Sequence, residues 1–216
     1  FDEVLKQEAD FAGARRNRGL LQAAAGQPEA ALPDLAWSIE HDGPDGATLT
    51  ALGGVCFHLQ QYAAAESAWR WAILLKPDAT ALLPPLAQVL LAQNRFGEAV
   101  ATCQEAIRRG DISLPVWLTL ANAQLGLGER GAASEALEAA RLLHGADLDS
   151  PALQRLAELY LAMQLPGAAA PLLLAADQLA PLPAPRLLSL AEAVSAMQAW
   201  PEAEALLVRL RERTPN

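Results

Sequence analysis

The chain has 216 residues, a formal net charge of −9 at pH 7 and a pI near 4.8, a balance that argues against nucleic acid and anionic lipid, which need basic patches. Apolar residues make up 52% of it and aromatics only 5%, so its hydrophobicity is mostly Ala and Leu, two strong helix formers. The longest apolar candidate, 168–176, contains Pro171 and falls well short of the roughly 18 residues of a membrane span. The chain opens at Phe1, so the absence of a basic-then-apolar leader carries no weight.

In chain order, residues 1–11 read as the second half of a helix, because Phe1 stands in the register of Leu35, one repeat earlier. Six alanines then keep a fixed beat: Ala31, Ala65, Ala99, Ala133, Ala169 and Ala203. The step is constant except between the fourth and fifth, where it is longer by two. Four positions after each stands a larger apolar side chain: Leu35, Trp69, Cys103, Leu137, Leu173 and Leu207. A constant period of about 34 residues marks repeated supersecondary units. The units run 12–45, 46–79, 80–113, 114–149 (with the two extra residues), 150–183 and 184–216, in a single array over 1–216.

Each unit is expected to be a helical hairpin. The first helices carry apolar and small residues at spacings of three and four, with one glutamine among them: Leu49, Leu52, Gly53, Cys56; Leu83, Leu86, Ala87, Leu90; Trp117, Leu120, Ala121, Gln124; Leu153, Leu156, Ala157, Tyr160; Leu187, Leu190, Ala191, Val194. That spacing places them on one helix face. The first unit is weakest, with Arg15 and Arg18 where apolar residues belong. Turns within the hairpins are predicted at 26–28, 60–61, 93–94, 128–129, 164–165 and 198–199. Pro84-Pro85 should shorten the first helix of the third unit. Pro33 and Pro171 lie about a turn into second helices, which should start late or bend. The two extra residues fall near 145–149 and should lengthen that connection. Cys56 and Cys103, too few for a disulfide scaffold or a zinc site, occupy core positions and read as buried free thiols.

The pattern resembles the tetratricopeptide repeat, W-x2-L-G-x2-Y followed by A-x3-F and P, with a period of about 34 residues. The second unit fits best, with Leu49, Leu52, Gly53, Cys56, Tyr62, Ala65, Trp69, Ala72 and Pro77. The resemblance implies an all-α, right-handed α-solenoid or superhelix of tandem hairpins, here about six and read as a segment of a longer bacterial protein. It also implies a concave groove lined by the first helices. The groove positions are Arg16; Thr50 and Phe57; Gln88 and Leu91; Leu118, Asn122 and Leu125; Gln154, Glu158 and Leu161; and Glu192, with Leu20, Ala23 and Gly54 beside them. Some family members grip a peptide carboxylate with Lys and Asn four apart; the matching pairs here, Thr50/Gly54, Pro84/Gln88 and Leu118/Asn122, lack the cation. An apolar groove with a few amides suits an amphipathic helix or an extended apolar segment.

Trp37 and Trp71, one period apart on second helices, form a candidate second surface, Trp being enriched at interface hot spots; packing between neighbouring helices is the competing reading. No catalytic constellation, phosphate loop or metal motif can be assembled. His41, His58 and His144 read as surface or loop residues. Glu98, Glu129, Glu135, Glu138, Glu202 and Glu204 read as solvated helix faces. The last unit should expose a stripe with Leu206 and Leu210, a route to self-association through the C-terminal repeat.

The expectation is therefore a non-enzymatic scaffold with no cofactor that binds a protein or peptide partner, in the bacterial cytoplasm or periplasm. Two other readings stay open: a periplasmic or envelope module of an export, protease-adaptor or maturation complex, and a substrate-presenting array of an enzyme whose catalytic domain lies elsewhere in the parent chain.

Overall fold

The computed structural model describes residues 12–145 and 147–213. The reading of residues 1–11 therefore lies outside the described residues. Every regular element that is described is helical: α1 (Ala12–Ala24), α2 (Pro28–Asp42), α3 (Gly46–His58), α4 (Tyr62–Leu75), a 3-10 turn (Thr80–Leu82), α5 (Leu83–Ala92), α6 (Phe96–Arg108), α7 (Leu114–Gly126), α8 (Arg130–His144), α9 (Ser150–Ala162), α10 (Pro166–Leu179), α11 (Ala184–Ala196) and α12 (Trp200–Arg213). None is long and apolar enough to cross a membrane.

The hairpins turn on one repeated device. Gly26, Gln60, Asn94, Gly128, Gln164 and Gln198 all have positive φ, between 57° and 80°, and they keep the beat of the alanines. In each turn this residue's N–H donates to a carbonyl three positions back and the next N–H donates five back, as in Gln60 N to Phe57 O and Gln61 N to Cys56 O. That pairing is a Schellman close, which satisfies the last carbonyls of a helix. Four of the six positions hold Gln or Asn rather than Gly.

Between the helices of a hairpin, the beat alanines are packed without exposed surface: Ala31, Ala65, Ala99, Ala133 and Ala169 are all at 0%. Leu35, Trp69, Cys103, Leu137 and Leu173 are buried in the slot that follows. Facing these slots in register, the first helices carry small residues: Gly19, Gly53, Ala87, Ala121 and Ala157. The Gly53–Trp69 pair shows why: a methyl on Gly53 would overlap Nε1, Cδ1 and Cε2 of the indole. The indole Nε1 then donates to Thr50 O at 3.2 Å. Burial pushes the Cys56 thiol up and the Cys103 thiol up to about 12, as expected for desolvated thiols.

The first hairpin is closed by charge. Asp34, buried on α2, receives Arg18 Nε at 2.5 Å and Nη2 at 2.9 Å. Arg15 lies over the Trp37 ring, 4.7 Å from its centroid, a cation–π arrangement. Leu35 fills the space over Gly19, where a methyl would come within 3.0 Å of Leu35 Cγ and Cδ2.

The proline expectations divide. α5 is ten residues long where α3 has 13, and it begins at Leu83 after the 3-10 turn with Pro84-Pro85 in its first positions. By contrast, α2 and α10 do not start late; they begin at Pro28 and Pro166 and run through Pro33 and Pro171. Both inner prolines are exposed, so the carbonyls they leave without a donor, Glu29 O and Gly167 O, belong to exposed residues. The two extra residues fall at the end of α8 and the connection after it: α8 has 15 residues against 13 in α6 but the same number as α2, and five residues separate it from α9, where three follow α2 and four follow α10.

The chain divides into two compact units, Phe1–Thr119 and Leu120–Asn216, with the boundary inside α7. In the first, Arg95 joins Glu66 at 2.5 Å and Glu98 at 2.6 Å, while Arg70 reaches the same two carboxylates at 2.8 and 3.3 Å. In the second, Tyr160 donates to Glu138 Oε1 at 2.7 Å and Arg209 bonds Asp177 Oδ2 at 2.9 Å. Burial, then the hydrogen bond to Glu138, pushes the Tyr160 phenol up to about 12.

Candidate binding cleft

α1 and α3, first helices of adjacent units, diverge around an open cleft of about 830 Å³. Leu20, Ala23 and Ala24 line it from α1, and Ala47, Thr50, Ala51, Gly54, Val55 and His58 line it from α3. The α3 residues are spaced three and four apart and share one face. Small side chains keep the wall close to the backbone. A methyl added at Gly54 would meet nothing within 4 Å. Glu29 and His58 supply polar groups to the lining, and Thr50 Oγ1 donates back to Gly46 O at 2.7 Å.

α3 is set in register by its N-cap. Asp45 Oδ1 accepts Ala47 N at 3.0 Å and Thr48 N at 3.1 Å, and Thr48 Oγ1 donates to Oδ2, the usual N-terminal closure. Burial pushes the Asp45 carboxyl up, but the bonds from Thr48 and Ala47, with the Arg16 charge, hold it below its ordinary value. Arg16, expected in the groove, thus lies close enough to act on this cap.

The other groove positions are in varied surroundings. Thr50 is exposed, with Gly54, Leu20 and Ala23 beside it in the cleft. Phe57 is drawn into an aromatic cluster, 6.0 Å between ring centroids from both Tyr62 and Trp69. Leu118 is buried. Gln88, Leu91, Leu125 and Leu161 are half-buried, and Asn122 and Glu192 are exposed. Gln154 Nε2 donates to Ser150 Oγ at 3.1 Å, and Glu158 is ion-paired with Arg186 of α11. Ala24, Ala47, Ala51, Glu29 and His58 also line the cleft, although the repeat pattern does not mark them. The signal for them lies in the 47, 51, 54, 58 spacing on α3.

The two tryptophans differ. Trp37 stacks on His41 at 4.1 Å beneath Arg15, so its faces are occupied within the first hairpin. Trp71 is 54% exposed. Clefts of about 470 and 480 Å³ lie between consecutive second helices, α4 with α6 and α10 with α12. Leu206 lines the latter and is buried at 5%. This corrects the expected exposed stripe: on α12 the apolar side chains in the open are Trp200, Leu207 and Val208, with Leu210 half-buried. The three histidines and the six carboxylates read as solvated are exposed, except His144, which is half-buried beside a loop.

No family model matches the chain. It is 37% identical over 70 residues to the mouse tetratricopeptide repeat protein 33, a match covering 32% of this chain and 27% of that protein. The chain thus matches about a quarter of the length of that curated relative. Among solved structures, PilW, a widely conserved type IV pilus biogenesis factor, matches with a TM-score of 0.77 at 16% identity over 94% of this chain and 93% of its own. PilF of Pseudomonas aeruginosa matches at 0.72 and 20% over 95% and 92%. A tetratricopeptide repeat protein of Parabacteroides merdae matches at 0.75 and 12% over 100% and 84%. With the in-phase turns and the packed alanines, these likenesses give the chain the all-α helical-repeat fold seen in tetratricopeptide repeat proteins.

Proposed function

We propose that the chain is a non-enzymatic scaffold that holds a short apolar segment of a partner protein in the cleft between α1 and α3. The observation that carries this is the open cleft of about 830 Å³ walled by small residues of two first helices. Such a wall lets another backbone approach closely, while polar groups at its margin can orient it. Gly54→Leu tests the reading, because the new side chain enters open space and leucine favours the helix. Peptides selected from a random library on the wild-type chain should lose binding to Gly54→Leu, while the melting temperature holds or rises. Undiminished binding would move the site elsewhere, with the exposed Trp71 face tested next by Trp71→Ala.

A second reading, a module of a bacterial envelope assembly, draws support from the likeness to PilW, a type IV pilus biogenesis factor. Fractionation of source cells tests it: recovery with the cytosol alone would refute it.

A further inference from the structure

In five of the six hairpins the apolar slot four positions beyond the beat alanine is buried; in the sixth, Leu207 is 46% exposed. It does not stand alone. Trp200, Glu204, Leu207, Val208 and Arg211 are all exposed and follow one another at intervals of four, three, one and three, so they form a single stripe along α12. The buried Ala203 and Leu206 face the other way, into the hairpin. Within the stripe charge is also divided: Glu204 precedes the apolar pair Leu207-Val208 and Arg211 follows it, with the exposed Glu212 beside Arg211 in the last turn. Arg209 is engaged with Asp177, which leaves Arg211 as the cation of the stripe.

We propose that two copies of the chain associate through α12, antiparallel, about a two-fold axis passing between Leu207 and Val208. Only that direction matches the charge division. An isologous pair meets residue i with j and j with i, so a two-fold at this point sets Glu204 of one copy against Arg211 of the other, twice, and Leu207 against Val208, twice. A parallel pair would set Glu204 against Glu204 and Arg211 against Arg211, and like-charge juxtaposition is costly.

The test is the mass of the 216-residue chain by multi-angle light scattering and sedimentation across a concentration series. The wild type should reach twice 22.9 kDa, and Leu207→Glu should stay at one copy with unchanged helicity. Glu204→Arg and Arg211→Glu should each weaken the dimer by about tenfold or more. The double reversal Glu204→Arg/Arg211→Glu should restore it, because the complementarity returns with opposite sign. A wild-type chain that stays a single copy at millimolar concentration would overturn the proposal. So would a dimer that Leu207→Glu leaves intact, or one whose charge reversals act without mutual rescue, as when the face binds another partner or packs in another register.

Discussion

The first two hairpins solve one packing problem by opposite means. In α3–α4 the largest side chain of the slot, Trp69, is seated on a glycine and donates to Thr50 O. In α1–α2 the slot holds Leu35, and closure is completed by Arg18 reaching the buried Asp34. The corresponding positions of the second hairpin are Leu52 and Ala68. A repeat therefore constrains the volume between its helices more tightly than the chemistry that fills it. The apolar solution leaves no room for change, whereas the ionic one can be exchanged if both partners change together.

The largest break should come at Gly53. Gly53→Ala drives a methyl into the Trp69 indole and is expected to cost about 2–3 kcal/mol by overpacking, read from the urea midpoint. Adding Trp69→Leu, the combination used by Ala157 and Leu173, should recover most of that loss. Full stability in the single variant would mean that the indole is not seated there.

Next comes the ionic closure. Asp34→Ala should cost about 2 kcal/mol, below the value for breaking a fully buried pair because the Arg18 side chain is 32% exposed. Arg18→Leu/Asp34→Ala, which installs the residues of the second hairpin, should be neutral or stabilising. A double variant as unstable as Asp34→Ala would show that the charge pair itself is required.

The turns sharpen the same comparison on a smaller scale. Gln60 and Gly26 hold the left-handed position in the two hairpins. Gln60→Gly should stabilise and Gly26→Gln destabilise by about 0.5–1 kcal/mol each, the left-handed conformation being costly for residues with a Cβ. Equal melting temperatures in both variants would place the strain elsewhere.

The smallest effect concerns the largely exposed charge network that joins the second hairpin to the third, where the first hairpin has a part-buried pair. Burial pushes the Glu66 carboxyl up, but the bonds from Arg70, Arg95 and Gln93 bring it below its ordinary value; Glu98 is lowered chiefly by Arg95. Carboxyls depressed in the folded state contribute stability above the unfolded value of about 4.3, and that contribution is lost as pH falls through the folded value. Arg95→Gln should therefore narrow the difference in stability between pH 6 and pH 3 (about the range these groups span), with little change in slope at neutral pH. An unchanged acid limb would show that the network contributes nothing.

Much of this was legible because it is periodic. The alanines are invariant in size since nothing larger fits where two helices touch, and the turns follow since each hairpin closes at the same distance. What escaped was specific to one copy. Arg18 stood out as a misfit, but its partner Asp34 could be found only by noticing that an acid and a base had replaced Leu52 and Ala68 in facing slots. Phe57 holds a groove register, yet the neighbouring Trp69 and Tyr62 recruit it. Leu206 and Leu207 are adjacent in sequence and so about 100° apart on the helix, enough to exchange buried for open. The buried Ala68 and Ala136 at the position of Leu206 carried that information.

Both thiols of the chain, Cys56 and Cys103, lie in the first compact unit and are buried; the second unit has none. With Cys103 pushed up to about 12, almost no thiolate is present at neutral pH, and an alkylating reagent must wait for the hairpins around it to open. The chain thus holds a chemical clock for one half of itself. With reagent in enough excess that alkylation outpaces reclosing, its ticking gives the opening rate of that half alone. Set beside the loss of total helicity, it distinguishes a molecule that comes apart in one step from one whose repeats let go in succession.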